Sequence, residues 1–334
     1  MGKKFITTGL DLGATHIRAI EMIRSKDKIL INKIVETTRP ESDENLSNFL
    51  NELFDKHKLN RNNVRTALQG NNLISRYIAM PPLPDDKIRQ AVLTEADKYI
   101  PFDIDDVVLD CKRVGNQEQD GEMQVLLAAI KRSIIEEWVT ILNNAKLKAD
   151  IIDCAELTLG NVFAWLCPEP DRSIARIEMG ATTTSVAILL GEKLLFSREI
   201  SAAGNAITEA ISDAFDRSIE ESETIKCDPG QNQEVVDTVV EPVLAQISQE
   251  IQLCIDFYEN QYSNHVDTLA ISGGASLYAN FDTMLGNALN KTAYIWNPLL
   301  NDKLTINENI DKDIIQKYGS CYCLALGLAA RNKA

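Results

Sequence analysis

No stretch of 18 consecutive apolar residues occurs in these 334 residues, so no segment is a candidate for a membrane-spanning helix, which needs about 20. The lysines near the start are followed by no apolar stretch of secretory-leader length before charge returns. Histidine is scarce, with only His16, His57 and His265, and their separation leaves a zinc cluster nothing to build from. The seven cysteines form no CxxC pair, and Cys321 and Cys323 sit in an apolar stretch. An odd, scattered set of this kind fits a reducing compartment in which thiols pack as small core residues. Positive charge is also short. Against 49 acids stand 34 lysines and arginines, a formal charge of −15 and a pI near 4.8. That balance argues against nucleic acid as a partner, since binding the phosphate backbone needs a basic stripe.

The chain is long enough for two cores, because single cores stop growing beyond roughly 250 to 300 residues. It also contains one phrase nearly twice: DLGAT at 11 to 15 and EMGAT at 178 to 182. Around each copy the pattern is strand, glycine turn, strand, short turn, strand. FITTGLDLGATHIRAIEMIRSKDKILINKI matches IARIEMGATTTSVAILLGEKLLFSREI in order and nearly in length. A period this long is no solenoid signal and predicts two similar domains, each with its own copy of one turn. The predicted fold class is α/β: a duplicated two-domain architecture of residues 1 to 165 and 170 to 316, joined through the Pro-containing AWLCPEPDRS.

Residues 80 to 148 read as a small inserted subdomain. They comprise a helix capped by Asp85 that buries Ile88, Val92, Ala96 and Tyr99, then a hairpin and a second helix. Residues 44 to 57, 204 to 226 and 234 to 260 are predicted helices, the last with Val239, Val243, Ile247, Ile251, Cys254 and Tyr258 in register. The C-terminal helix at 317 to 334 carries Ala, Leu and Cys around most of its circumference. It is predicted to be buried, packing back on the first domain.

A strand ending in Asp-x-Gly-Ala-Thr sets backbone N–H groups and a hydroxyl at a tight turn, a nest for phosphate oxygens. The acid before it suits a divalent cation, which for magnesium is held largely through water. Two such turns facing across a cleft clamp a polyphosphate from both sides. A third glycine turn, SGGAS at 272 to 276, lets backbone lie close against a flat base.

The order of these elements resembles the actin-like ATPase superfamily, which implies an actin-like (ribonuclease H-like) duplicated fold with a nucleotide cleft. Within it the chain resembles the PilM family of type IV pilus assembly. The residues that carry this likeness are MPPLPDDKIRQAVLTEADKYIPFDIDDVVLD at 80 to 110, EIQLCIDFY at 250 to 258, ISGGASLYANF at 271 to 281 and WNPL at 296 to 299. The resemblance implies ATP and Mg2+ as cofactors. It implies Gly13, Ala14, Thr15, His16 and Arg18 at the first phosphate turn, and Gly180, Ala181, Thr182 and Thr183 at the second. Gly204 then opens a connecting helix toward phosphate. Glu223 and Lys226 take the place of a ribose-contacting pair, and Gly273, Gly274 and Ser276 border adenine and its sugar. Asp11 and Glu178 are the implied metal-holding acids, and Glu156 is the nearest candidate for a water-activating base.

Three departures weaken the catalytic part: Glu178 stands where aspartate is usual, His16 replaces a small or hydroxyl residue, and no clear water-activating residue is visible. Arg18 stands where the superfamily often has a lysine. The departures favour nucleotide binding over turnover.

The implied role is a cytoplasmic, ATP-binding scaffold of pilus assembly, or of a related type II secretion system. It is held at the inner membrane by the cytoplasmic tail of a PilN-like protein and open to other assembly proteins or to self-association. The alternatives are an FtsA-like filament-forming cell-division ATPase or a small-molecule kinase of the same superfamily. FtsA-like chains resemble this one in the insert but end in a basic amphipathic helix, whereas this sequence ends in AARNKA.

Overall fold

The computed structural model describes residues 4–25, 28–40, 42–70, 73–119, 121–167 and 172–331. The expected joint at 168–171 and the last three residues lie outside these. The chain runs β1 (Phe5–Leu12), β2 (His16–Arg24), β3 (Ile29–Thr38), α1 (Leu46–His57) and β4 (Asn62–Leu68). It then enters β5 (Leu73–Met80), α2 (Asp85–Thr94), β6 (Val107–Gln119), β7 (Glu122–Lys131) and α3 (Arg132–Asn144), and returns with β8 (Lys148–Cys154) and α4 (Ala155–Leu166). The second half is β9 (Ser173–Met179), β10 (Thr184–Leu190), β11 (Lys193–Ile200), α5 (Gly204–Phe215), α6 (Ile219–Cys227), α7 (Gln233–Tyr262), β12 (Val266–Ser272), α8 (Phe281–Leu289) and β13 (Thr292–Ile295). It closes with β14 (Thr305–Ile306), α9 (Lys312–Tyr318) and α10 (Cys323–Ala330).

The duplication read in the sequence is a duplication of topology. One sheet has the order β14-β3-β2-β1-β4-β8 and the other β11-β10-β9-β12-β13. In each, three antiparallel strands are followed by two that pair in parallel, β4 and β8 in one and β12 and β13 in the other. Asp11 and Glu178 are therefore equivalent, each the penultimate residue of its sheet's first strand. The pleat splits β9 between two environments. Ala175, Ile177 and Met179 join the second core with α5 and α7, whereas Ile174 faces the core shared with α4 and α10.

That shared core joins the halves. It takes residues from both sheets, from α4 and from α10, which is buried over nearly its whole surface. In place of one helix over 317 to 334, α9 ends at Tyr318, a 3-10 turn spans Gly319–Tyr322, and α10 follows. α10 lies on the first sheet, where Thr7 Oγ1 donates to Ala329 O at 2.7 Å and Arg24 Nη2 to Ala330 O at 2.9 Å.

Several boundaries differ from expectation. The small three-stranded sheet, β5-β7-β6, starts at Leu73, because β5 pairs along its whole length with β7. β14 joins the first sheet beside β3, although its residues follow the second sheet in sequence. Asp85 is the first residue of α2 rather than its cap; Pro84 precedes it, and the Asp85 carboxylate pairs with Arg113 at 3.0 Å. The single helix expected over 204 to 226 breaks at Asp216, which has φ 51°, and restarts at a capping box of Ser218 and Glu221. In α7 the buried stripe is Val236, Val240, Leu244, Ile247, Ile251, Cys254 and Tyr258, with Val239 and Val243 at its margin.

Candidate functional site

Both duplicated turns end in exposed tips, Ala14 and Thr15 on one and Thr182 on the other, with buried strands behind them. The first turn is braced by a residue that sequence reasoning missed. Arg39 Nη1 donates to the carbonyls of Leu12 and Gly13, both at 3.1 Å, and the Arg39 amide bonds Thr15 O at 2.8 Å. Thr15 Oγ1 lies 3.0 Å from His16 Nδ1. The second turn closes through Gly180 N to Thr183 O at 2.9 Å. It is docked onto the start of α5 by Gly204 N to Gly180 O at 3.0 Å and Asn205 N to Ala181 O at 2.8 Å. Only glycine fits at 204, since a Cβ there would stand 2.9 Å from Gly180 O.

The third turn is pressed against the second jaw. Gly273 has φ 93°, and a Cβ on it would lie 2.4 Å from Met179 O, so both its backbone and its contact demand glycine. Its N–H donates to Ser320 O at 3.0 Å, and Ser276 Oγ turns inward to Gly273 O at 2.7 Å and to Ser320 Oγ at 3.0 Å. Ser276 thus pins the turn. Gly274 faces open space.

Across the cleft, α6 supplies a tight network. Lys226, almost fully buried, donates from Nζ to Glu223 Oε2 at 2.6 Å and to Thr208 Oγ1 at 2.8 Å, while Thr208 itself donates to Glu223 at 2.6 Å. Burial raises the Glu223 pKa, but the hydrogen bond and charge of Lys226, with help from Thr208 and His16, outweigh it and hold the carboxyl below its usual range. His16 is held low, first by burial and then by Arg18. The mutual influence of His16 and Glu223 brings the first turn and α6 to the same space.

The acids behind the turns behave differently. Asp11 is buried, and burial pushes its pKa up to about 7, with Arg18 opposing and Glu178 adding to the rise. Arg18 lies opposite Asp11 in the β1–β2 register and pairs with Glu36. Glu178 is already engaged, its Oε2 accepting from Arg176 Nη2 and from Ser272 Oγ. No group of three or more His, Cys, Asp or Glu suited to a metal exists among the described residues. Of the two implied metal acids, Glu178 is close enough to add to the rise of Asp11 but is itself held by protein donors. Its strand neighbour Arg176 was not singled out in the sequence; an arginine two residues before the acid, hence on the same strand face, was the available signal.

Glu156 belongs to a different cluster. It is buried in the first turn of α4, its pKa raised chiefly by burial, and Ser75, Tyr77, Cys154 and Glu199 are its neighbours. Glu199 is pushed up to about 7, by burial first and Glu156 second, against an opposing hydrogen bond from the Gly70 backbone. Tyr77 Oη lies 3.4 Å from Ser197 Oγ, so β11 touches β5 here.

Beside the cluster opens a cavity of about 730 Å³. Its walls come from the small sheet (Val108, Leu126), from β8 and α4 (Ile152, Leu157), and from the β10–β11 turn and the end of α10. Its charged lining comprises five cations, Arg24, Lys112, Arg113, Lys193 and Arg331, against three acids, Asp110, Asp153 and Glu192. The acidity of the whole chain is therefore not concentrated here.

The family described as type IV pilus assembly protein PilM matches residues 9–333. The chain belongs to the PilM family. A solved PilM-PilN type IV pilus biogenesis complex is 26% identical, with a TM-score of 0.86 over 97% of this chain and 98% of that one. The ethanolamine utilization protein EutJ from Carboxydothermus hydrogenoformans is 13% identical, with a TM-score of 0.57 over 97% of this chain and 89% of that one. MreB 5 of Spiroplasma citri bound to AMPPNP is 12% identical, with a TM-score of 0.54 over 97% and 94%. The last two matches speak to fold, and with the paired sheets they bear out the actin-like, two-domain architecture. Among the described residues no helix is long and apolar enough to cross a membrane.

Proposed function

We propose that this PilM-family chain is a nucleotide-gated adaptor at the cytoplasmic face of the inner membrane, holding the short cytoplasmic tail of a PilN-like protein in the 730 Å³ cavity. The observation that carries this reading is where the cavity lies. Its wall residues come from the small sheet, the first domain and the β10–β11 turn of the second domain, so a change in domain closure changes its shape. The solved PilM-PilN complex, similar over nearly the whole length of both chains, supports the choice of partner. Apolar walls with a mixed charged rim suit a tail with apolar anchors.

The cleft residues fit a nucleoside phosphate. Both turns have exposed tips, the first turn comes near α6 through His16 and Glu223, the start of α5 is docked on the second turn, Lys226 lies beside it, and Gly274 leaves open space at the third turn. ATP is the ligand this reading takes. Magnesium held by Asp11 and Glu178 is not part of it, because the Glu178 carboxylate is engaged by Arg176 and Ser272. Binding rather than turnover is the proposed role of the cleft, and Glu156 is read as part of the contact between small sheet and second domain.

Two titrations test the reading. A synthetic peptide of the PilN-like cytoplasmic tail should bind the full chain, and Leu126→Arg on the cavity wall should weaken it about tenfold or more, as removal of a buried anchor does, without lowering the melting temperature. ATP should raise the melting temperature, by about 2.7 kcal/mol of stabilisation at 100 times its dissociation constant, and Gly180→Asp should abolish that rise. Unaltered peptide binding by Leu126→Arg, or melting indifferent to ATP, would sink the corresponding half.

A further inference from the structure

The nucleotide reading raises the question of what neutralises the cleft floor, and the second jaw answers it with a protein cation. Arg176 is completely buried, one pleat behind Glu178 on the same face of β9. Its Nη2 donates to Glu178 and, at 3.1 Å, to Ser272 Oγ, which in turn donates to Glu178. Register places Ser272 directly beside Glu178, so the three side chains close a ring across β9 and β12. The guanidinium stands 5.9 Å from the Trp296 ring, and among the described residues its Nε and Nη1 are buried without a hydrogen-bond partner. A guanidinium does not lose its proton in a protein. In the first jaw Arg18 lies opposite Asp11 across β1 and β2 but pairs with Glu36, so it is not committed to Asp11 as Arg176 is to Glu178.

We infer that this cleft binds nucleoside phosphates without requiring a divalent cation, and that Arg176 is the positioning residue responsible, holding Glu178 where a metal-dependent cleft would use a carboxylate to recruit the ion. Magnesium is held by one or two carboxylates together with substrate phosphates. Here the fixed guanidinium already pairs with Glu178, and a divalent ion at Glu178 would sit beside a buried positive charge. The longer glutamate at this position fits the same account, because it reaches Arg176 and Ser272 together.

The inference rests on the nucleotide reading, and calorimetric titration of the full chain with ATP separates the two. Dissociation constants in excess EDTA and in excess Mg2+ should agree within about threefold, under 0.7 kcal/mol. Arg176→Lys should keep that agreement. The double variant Arg176→Leu with Glu178→Asp frees the acid without leaving it opposite a buried cation, and it should bind ATP at least about tenfold more weakly in EDTA than in Mg2+. Loss of tenfold or more on chelation in the unaltered chain overturns the inference while nucleotide binding stands. A double variant as indifferent to metal as the parent overturns the role of Arg176. No binding under either condition overturns the inference and the nucleotide reading together.

Discussion

Gly9→Ala should loosen the C-terminal helix and cost about 3 kcal/mol or more, at the upper end of what overpacking does, since the obstacle is backbone rather than a movable side chain. Gly9 lies in β1 under α10, and a Cβ on it would stand 2.0 Å from Ala325 O and 2.5 Å from Ala329 N. Neither atom can move without shifting the helix. The helix is in turn held at its C-terminal end, where carbonyls would otherwise lack partners. Thr7 bonds Ala329 O, Arg24 bonds Ala330 O, and the buried Arg65 reaches Arg331 O while pairing with Asp150 at 3.3 Å. Pushing α10 outward breaks this set together and opens the core shared by both sheets. In a thermal melt the variant should fall by roughly 6 to 12 °C, taking 2 to 4 °C per kcal/mol for a large domain. Gly274→Ala, facing open space, is the control and should stay within about 0.5 kcal/mol of the parent.

What could be read from residues alone divides along physical lines. The duplicated strand–turn–strand was legible because period-two alternation and a glycine corner are local signals, and they recur. The apolar character of α10 was legible because Cys323 to Ala330 has no polar face to turn outward, whereas the break before it at Gly319–Tyr322 was not. Features set by pairing partners were not. The start of the small sheet at Leu73 depends on β5 finding β7, and β14 beside β3 depends on a contact between residues some 275 positions apart. The split between α5 and α6 turns on Asp216 adopting a left-handed conformation, which an aspartate tolerates but does not announce. The site was legible as three turns in order. Its electrostatics were legible only in part, because Arg176 and Glu178 share a strand face two residues apart but Ser272 joins them only through register across β9 and β12.

The same register joins the two halves of the proposed function. Glu199 lies opposite Ser185, Ser185 opposite Glu178, and Glu178 beside Ser272, so one polar row crosses the second sheet from the Gly273 turn toward the small subdomain. Residues directly opposite in a sheet share a face. At the far end of the row, Glu199 accepts from the Gly70 backbone at the entry to β5, and Tyr77 of β5 also lines the cavity.

Stability of the ligand-free protein should fall as pH rises from about 5 to 8, a direction set by acids whose folded pKa values are raised. Asp11 moves from 3.8 to about 7 and Glu199 from 4.5 to about 7, in both cases chiefly through burial, and Glu156 moves the same way. Between its unfolded and folded values such an acid binds more protons native than unfolded. Its contribution is complete below the unfolded value and is lost as pH passes through about 7. At about 1.4 kcal/mol per pKa unit, buried Asp11 carries on the order of 4 kcal/mol, and half-buried Glu199, discounted for solvent screening, about 1 to 2. His16, held low by burial and Arg18, works the other way near pH 6, and Glu223, held low by Lys226, withdraws stability only toward acid pH. Neither reverses the slope above pH 6.5. Chemical denaturation across this range should therefore show Asp11→Asn and Glu199→Gln each flattening the decline and exceeding the parent in stability at pH 8, where the parent must keep buried carboxylates ionised. A parent profile that is flat or rising from pH 6.5 to 8 would contradict the burial of these acids.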